Sequence, residues 1–281
     1  SDNEIWLRGG RCWLRAMLSQ WSGEERLHAN VLTPVLISGK QGLSKSTFCR
    51  LLMPDSLRHY FIDNLNLTAG SSPEKKLVKN GLINLDEFDK IKESQQATLK
   101  NLLQMVNVPV FRGKRLGWVN ESRLASFIAT TNVYQVLIDS TGSRRFLCVE
   151  VLKPISEEPL EHKQIYAQLK EELKSGAPDY LNKEEEKALQ KHNKAYYRQS
   201  LLEDVFHCCF RHPLETEKGI WLTTAEIFQV MRKFNSTALK EVSARQLGLK
   251  LSAMGYMAKH TSFGNRYYVF NLSAEKKDVS L

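Results

Sequence analysis

Gly39-Lys40-Gln41-Gly42-Leu43-Ser44-Lys45-Ser46-Thr47-Phe48 follows directly on the apolar run Val35-Leu36-Ile37. An apolar strand that runs into a glycine-containing loop and then a helix start brings backbone N–H groups together around an anion. A nucleoside triphosphate also needs a cation at its β- and γ-phosphates and a hydroxyl on Mg2+, roles suited to Lys45 and Ser46. Gly39, Gln41, Gly42, Leu43, Ser44, Lys45, Ser46 and Thr47 are therefore the candidate nucleotide-binding residues. The stretch departs from Gly-x-x-x-x-Gly-Lys-Ser/Thr at Ser44, where glycine is favoured because the backbone passes close to phosphate. Serine is the next smallest polar choice, and the expected cost is a lower affinity or rate.

Two further strand ends carry polar groups. Leu82-Ile83-Asn84-Leu85 ends in Asp86-Glu87-Phe88-Asp89. Asp86 is suited to hold Mg2+ through water, and Glu87 to orient and deprotonate an attacking water. An apolar-Asp-Glu string is common by itself and gains weight about forty residues after a phosphate loop. Phe127-Ile128-Ala129-Thr130-Thr131 ends at Asn132, an amide placed to hold the lytic water or sense the γ-phosphate. Residues 139–146 then set Arg144 and Arg145 before another strand. In ring ATPases such arginines stabilise charge on a neighbouring subunit's γ-phosphate. An intramolecular ion pair is the alternative for either one.

Working outward, the apolar runs at 35–37, 61–62, 82–85, 125–130 and 146–151 alternate with helical stretches. Near-continuous apolar strands separated by helices predict an α/β fold with a mostly parallel sheet covered on both faces. Ile5, Trp6, Leu14, Met17, Leu18 and Trp21 fall at near-helical spacing, with Gly9-Gly10 as an interruption. Ile165, Leu169 and Leu173 mark another helix face, and 181–210 reads as one or two more helices.

Charge divides the rest. Residues 156–204 carry eight Lys/Arg against eleven Asp/Glu, and 216–281 carry ten against five. The expected organisation is an N-terminal helical segment (1–30), a P-loop ATPase core (31–155), a helical connector (156–215), a basic winged-helix-like domain (216–273) and a tail (274–281). In the basic domain two helical patterns precede a hairpin with Gly264-Asn265 as its turn. Arg245 and Lys250 are then candidates for a nucleic-acid groove, with Lys259, His260 and Arg266 on the wing. A plain interaction domain is the competing reading.

The 281 residues carry a net charge of +9, with 42% hydrophobic and 25% charged residues, the balance of a folded protein, which excludes wholesale disorder or a fibrous repeat. No apolar run approaches the roughly 18 residues that span a bilayer, so no membrane association is expected. Without a secretion-signal pattern the expected location is the cytoplasm, and a start at Ser1 without Met suggests a fragment of a longer protein. Cys12, Cys49, Cys148, Cys208 and Cys209 show no zinc spacing; reduced thiols are expected and a metal cluster at His207–His212 is not.

Taken in order, Gly39–Phe48, Leu85–Asp89, Ala129–Asn132 and Thr141–Phe146 resemble the virulence-associated E family of P-loop ATPases. The resemblance covers roughly residues 10–152. It implies an AAA+-like fold related to superfamily-three helicases, found on bacterial mobile elements and prophages, commonly downstream of a primase-like region. It further implies a β-hairpin between the Asp86 strand and Asn132 that grips DNA in a ring's central channel. Here that interval holds Val108–Trp118, with Arg112, Lys114 and Arg115 as phosphate contacts and Phe111 or Trp118 packing on a base or on the core. A solvated basic loop or a subunit contact is the alternative. Arg123 also matches a recurrent basic position of the family.

The resulting expectation is a Mg2+-dependent ATPase motor on DNA, single- or double-stranded, acting as a helicase or translocase in mobile-element or phage replication. Lys45, Glu87, Asn132, Arg144 and Arg145 are its catalytic candidates, and Ser46 and Asp86 its metal ligands. Its partners would be copies of itself in a ring, a hexamer being one option, and a primase-like region. The alternatives are a nucleotide-gated DNA-binding or loader protein, a degenerate ATPase, and a small-molecule kinase, which lacks a lid signature here.

Overall fold

Each of the five apolar runs forms a strand, and the five strands make one parallel sheet. The computed structural model describes residues 2–23, 27–68, 71–138, 143–198, 201–214, 216–237, 239, 242–262 and 264–272. The chain divides into two compact units, Ser1–Tyr197 and Arg198–Leu281.

The first unit begins with α1 (Asp2–Trp21), β1 (Thr33–Ile37), α2 (Lys45–Leu51), β2 (Phe61–Asp63), α3 (Glu74–Lys79) and β3 (Leu82–Leu85). It continues with α4 (Glu93–Gln104), β4 (Asn107–Phe111), β5 (Trp118–Ser122), β6 (Ser126–Thr131), β7 (Phe146–Glu150), α5 (His162–Lys174) and α6 (Lys183–His192). The sheet order is β2-β3-β6-β1-β7, every pair parallel. β1, β3 and β6 are buried at every residue, as strands covered on both faces must be. Alternation assigns their side chains to two cores. Val35, Ile37, Ile83, Leu85, Phe127 and Ala129 pack with Leu77 of α3 and Leu99, Leu102 and Leu103 of α4. Leu36, Leu82, Ile128 and Leu147 pack with Trp13 and Met17 of α1 and Cys49 of α2.

Gly9-Gly10 does not interrupt α1. A Cβ on Gly9 would lie 2.9 Å from Leu147 Cδ2, so the missing side chain lets the helix approach β7. The segment 1–30, read as a helical segment ahead of the core, is thus a layer of the first unit. The acidic stretch read as a connector is largely part of it too. Arg11 and Arg15 of α1 both bind Glu172 of α5, and Arg8 binds Glu185 of α6. The Arg11 hydrogen bond, with those of Arg15 and Gln168, holds the Glu172 carboxyl down at about 2. Charge that suggested a helical connector is in part paired across a helix–helix packing, and the division falls after Tyr197 rather than after 215.

Arg123 is a second residue whose role is structural. It is 2% exposed. Its guanidinium donates to the carbonyls of Leu102 (3.1 Å) and Leu103 (2.8 Å) at the end of α4, and to Ala125 (2.7 Å) and Asn30 (3.1 Å). The position matched to a recurrent basic residue therefore satisfies helix-end carbonyls in the core.

The second unit contains α7 (Leu201–Cys209), β8 (Phe210–Arg211), β9 (Ile220–Thr223), α8 (Thr224–Phe234), α9 (Ala244–Ala253), β10 (Ala258–Thr261) and β11 (Gly264–Asn271). β11 pairs antiparallel with β10, β9 and β8. Helix, two short strands, two helices and a hairpin in this order make a winged-helix-like arrangement around Phe206, Ile227, Met231, Leu247, Leu251 and Tyr267. Capping boxes Thr223/Glu226 and Ser243/Gln246 start α8 and α9. The hairpin register differs from the expected one. Thr261 pairs with Gly264 and His260 with Asn265, so Gly264 and Asn265 belong to the strand and not to the turn, and Gly264, at φ 102°, opens β11.

Candidate functional site

Because β6 lies between β1 and β3, the carboxyl ends of these three strands converge. Residues 41–47, Asp86, Glu87, Thr130, Thr131 and Asn132 line one cleft of about 320 Å3 at those ends. Carboxyl ends of parallel strands are the general ligand edge of such sheets. Gly39 stands just outside the lining. The Tyr134 ring lies against it, and a Cβ there would meet Tyr134 Cε2 at 2.9 Å. Tyr134 Oη donates to Glu150 Oε1 at 2.7 Å, which fixes the ring.

Lys45 opens α2 and is 8% exposed. Its Nζ donates to Ser38 Oγ and, at 2.8 Å, to Asn132 Oδ1, joining the loop to the tip of β6. Burial lowers its pKa, against the opposing charge of Asp86. Ser46 Oγ donates to Asp86 Oδ1 at 3.3 Å, and Thr130 Oγ1 donates to the same oxygen. Thr131 Oγ1 donates to Asp89 Oδ1 at 2.6 Å. A hydroxyl and a carboxylate side by side beside a lysine form a hard-oxygen donor set that fits Mg2+.

Glu87 lines the cleft in the left-handed region, at φ 52°. Its carboxylate accepts from Lys90 Nζ at 2.6 Å and is 59% exposed. A non-glycine residue there costs about 1–3 kcal/mol and marks a functional constraint more often than chance does.

Ser44 also has positive φ, 58°. Glycine is favoured at this position for its backbone as well as for close approach to phosphate. Ser44 Oγ donates to Glu157 Oε1 at 2.6 Å, and Ile155 N–H donates to the Leu43 carbonyl at 3.2 Å. The segment after β7 thus ties down the loop and offsets part of the strain. Ser44→Gly is expected to change stability by no more than about 1 kcal/mol, relief of αL strain roughly cancelling added chain entropy and the lost hydrogen bond. Nucleotide affinity, read by calorimetry, should hold or tighten; a tenfold loss would show that the Glu157 bond shapes the loop.

Arg144 and Arg145 end the short 3-10 turn before β7, and neither is among the residues lining the cleft. Arg144 is exposed and lies 3.4 Å from Glu186 Oε2. Residues 139–142, which begin the motif that includes them, lie outside the described residues.

β4 and β5 form a separate antiparallel hairpin. Phe111 and Trp118 face each other at its end, ring centroids 5.6 Å apart and both exposed. Lys114 and Arg115 are exposed in the turn. Arg112, expected as a phosphate contact, instead forms a double hydrogen bond with Glu121, which raises its own pKa and lowers that of Glu121. In the second unit Arg245 and Lys259 are exposed, and His260 is exposed beside Asn265. Lys250 is bound to Glu203 at 2.7 Å, and Arg266 is half-buried near Glu226. All five cysteines are free, and no cluster of metal-ligating side chains occurs among the described residues.

Ser38, Thr130, Tyr134 and Glu157 were not singled out in the sequence. Thr130 sits inside the Thr-Thr-Asn string and could have been found there. Glu157 is 113 positions from Ser44, with no pattern linking them.

Fold and site define an α/β protein whose parallel sheet carries a glycine-containing strand-to-helix loop, with a carboxylate and an amide at adjacent strand tips. The virulence-associated protein E-like domain matches residues 28–198, more than half of the chain, and the chain belongs to that family. Residues 199–269 match a domain of unknown function described from a B. theta gene (DUF3874). The two matches meet beside the division after Tyr197. No curated protein matches the chain. Similar solved structures include the apo structure of the NrS-1 C-terminal region (305–718), 14% identical with a TM-score of 0.41 over 93% of this chain and 70% of that one. An A-form apo structure of the same region gives 14% and 0.42 over the same shares. No helix of the described residues is long and apolar enough to cross a membrane.

Proposed function

We propose that the chain is a Mg2+-dependent ATPase acting on DNA, a helicase or translocase in the replication of a mobile element or phage. The observation that carries this is the convergence of Lys45, Ser46, Asp86, Glu87 and Asn132 on one cleft. Lys45 binds the β- and γ-phosphates, for which its present acceptors, Ser38 and Asn132, hold it ready. Ser46 and Asp86 would hold Mg2+, which when bound screens the phosphate charge. Asn132, released from Lys45, orients the water, and Glu87 takes its proton once parted from Lys90. Arg144 and Arg145 act on the cleft of a neighbouring copy in a ring, and Lys114, Arg115, Arg245 and Lys259 bind phosphates. A primase-like region belongs to the same assembly.

Glu87→Gln tests this assignment. The variant should bind ATP as the wild type does and lose turnover roughly 10²-fold or more. Unchanged turnover would remove Glu87 from the mechanism. The engaged carboxylate of Glu87 also favours a second reading, a nucleotide-gated DNA-binding or loader protein that hydrolyses slowly. ATP-dependent assembly on DNA without directional strand displacement would select it.

A further inference from the structure

A larger cavity, about 840 Å3, opens at the other edge of the sheet. It lies by Gly81 and Leu124, just ahead of β3 and β6, so in a parallel sheet it is at the amino ends, opposite the phosphate loop. Its size is within the roughly 300–1,000 Å3 of ligand sites. Its walls combine two kinds of group. Trp21, Tyr60 and Phe111 give aromatic surface, and Lys75 and Lys79 give positive charge, while Arg112, also in the lining, is paired with Glu121. Among the described residues no carboxylate lines it. Lys75 and Lys79 stand one turn apart on α3 and are exposed on the same face. Tyr60 and Phe111 are 41% and 45% exposed, so each offers ring surface to the cavity. Phe111 belongs both to this cavity and to the exposed pair with Trp118, so the aromatic surface runs from the cleft onto the hairpin without a break.

An aromatic slot rimmed by lysines fits a ligand with planar faces and regularly spaced negative charge. We propose that this cleft receives unstacked bases of a single nucleic-acid strand, stacking them on Tyr60, Phe111 and Trp21 while Lys75 and Lys79 hold the phosphates. The slot rests on the nucleic-acid reading of the hairpin and adds to it a second stretch of the strand's path, behind the hairpin and away from the ATP cleft. Stacking on aromatic rings with a basic rim is tolerant of sequence, so the strand is held by its chemistry and not by a recognised site.

Two measurements on the full chain, made without ATP or Mg2+, test the slot. The first is photocrosslinking of an iodouracil-containing single-stranded oligonucleotide followed by peptide mapping; crosslinks are expected at Tyr60, Phe111 or Trp21. The second is binding of the same oligonucleotide by Lys75→Glu/Lys79→Glu, both exposed positions that leave the core intact. Affinity should fall on the order of tenfold, and the slope of log K against log salt should drop by about 1.4, that is, about 0.7 for each phosphate no longer neutralised. ATP turnover without DNA should be unchanged. Crosslinks confined to the hairpin turn or the second unit, with unaltered affinity in the double variant, would overturn the slot and leave the ATPase proposal standing. Capture of an acidic peptide in place of the oligonucleotide would overturn it too. If no oligonucleotide binds at all, the slot and the nucleic-acid reading fall together, and ATP turnover separates that outcome from a failed nucleotide site.

Discussion

Lys45→Ala is expected to abolish ATP binding at working concentrations and to lower turnover by roughly 10²–10³-fold, the range for loss of a preorganised charge-stabilising group. Lys45 is the cation of the proposed ATP cleft, and its Nζ bridges Ser38 and Asn132. Removing it leaves two small polar groups that the open cleft can hydrate, and it also removes a desolvated ammonium whose pKa burial already lowers. The fold should therefore survive, with a melting temperature within a few degrees of wild type. That combination separates chemistry from folding. Turnover within threefold of wild type would show that the loop is not the phosphate site.

Arg123→Ala should have the opposite profile, a large loss of stability with no direct effect on nucleic-acid affinity. Five carbonyls, those of Asn30, Leu102, Leu103, Ala125 and, at 3.4 Å, Met105, receive hydrogen bonds from one buried guanidinium. Bonds to charged groups contribute about 1.5–3 kcal/mol, and orphaned buried carbonyls cost more than the bonds return. A loss of at least about 3 kcal/mol is expected, read as a shift in the first unit's denaturation midpoint. Arg123→Lys should recover only part of it, since an ammonium cannot fork toward so many acceptors. A change below about 1 kcal/mol accompanied by weakened DNA binding would contradict the structural role.

The sheet, and the strand ends that converge on the cleft, were legible because their signals are local. A strand buried on both faces is mostly apolar, and the runs 35–37, 82–85 and 127–129 stand out as such within β1, β3 and β6, all three buried at every residue. A loop between strand and helix must bend through positions small residues tolerate, and the string around Gly42 and Ser44 shows it. What escaped depends on partners far away in the chain. Gly9-Gly10 looks like a helix break until Leu147 is seen against it. Glu172 looks like solvated charge until Arg11 and Arg15 reach it. Arg112 and Lys250 look like cations offered to phosphate, and each has an acidic neighbour that hairpin or helix packing supplies. The same distance effect hid the boundary after Tyr197, since composition changes gradually there while packing changes abruptly.

On the proposed in-trans role of Arg144 and Arg145 turnover depends on assembly, and on the proposed DNA contact of the hairpin it depends on DNA. The most direct test of the central proposal is Mg2+-dependent ATP hydrolysis measured across protein concentrations that span oligomerisation, with and without single-stranded DNA. Turnover per chain should rise with concentration and rise again with DNA. ATP bound without turnover under every condition, or a dilute monomer as fast as the assembly, would contradict the account of this chain as an assembled ATP-driven motor.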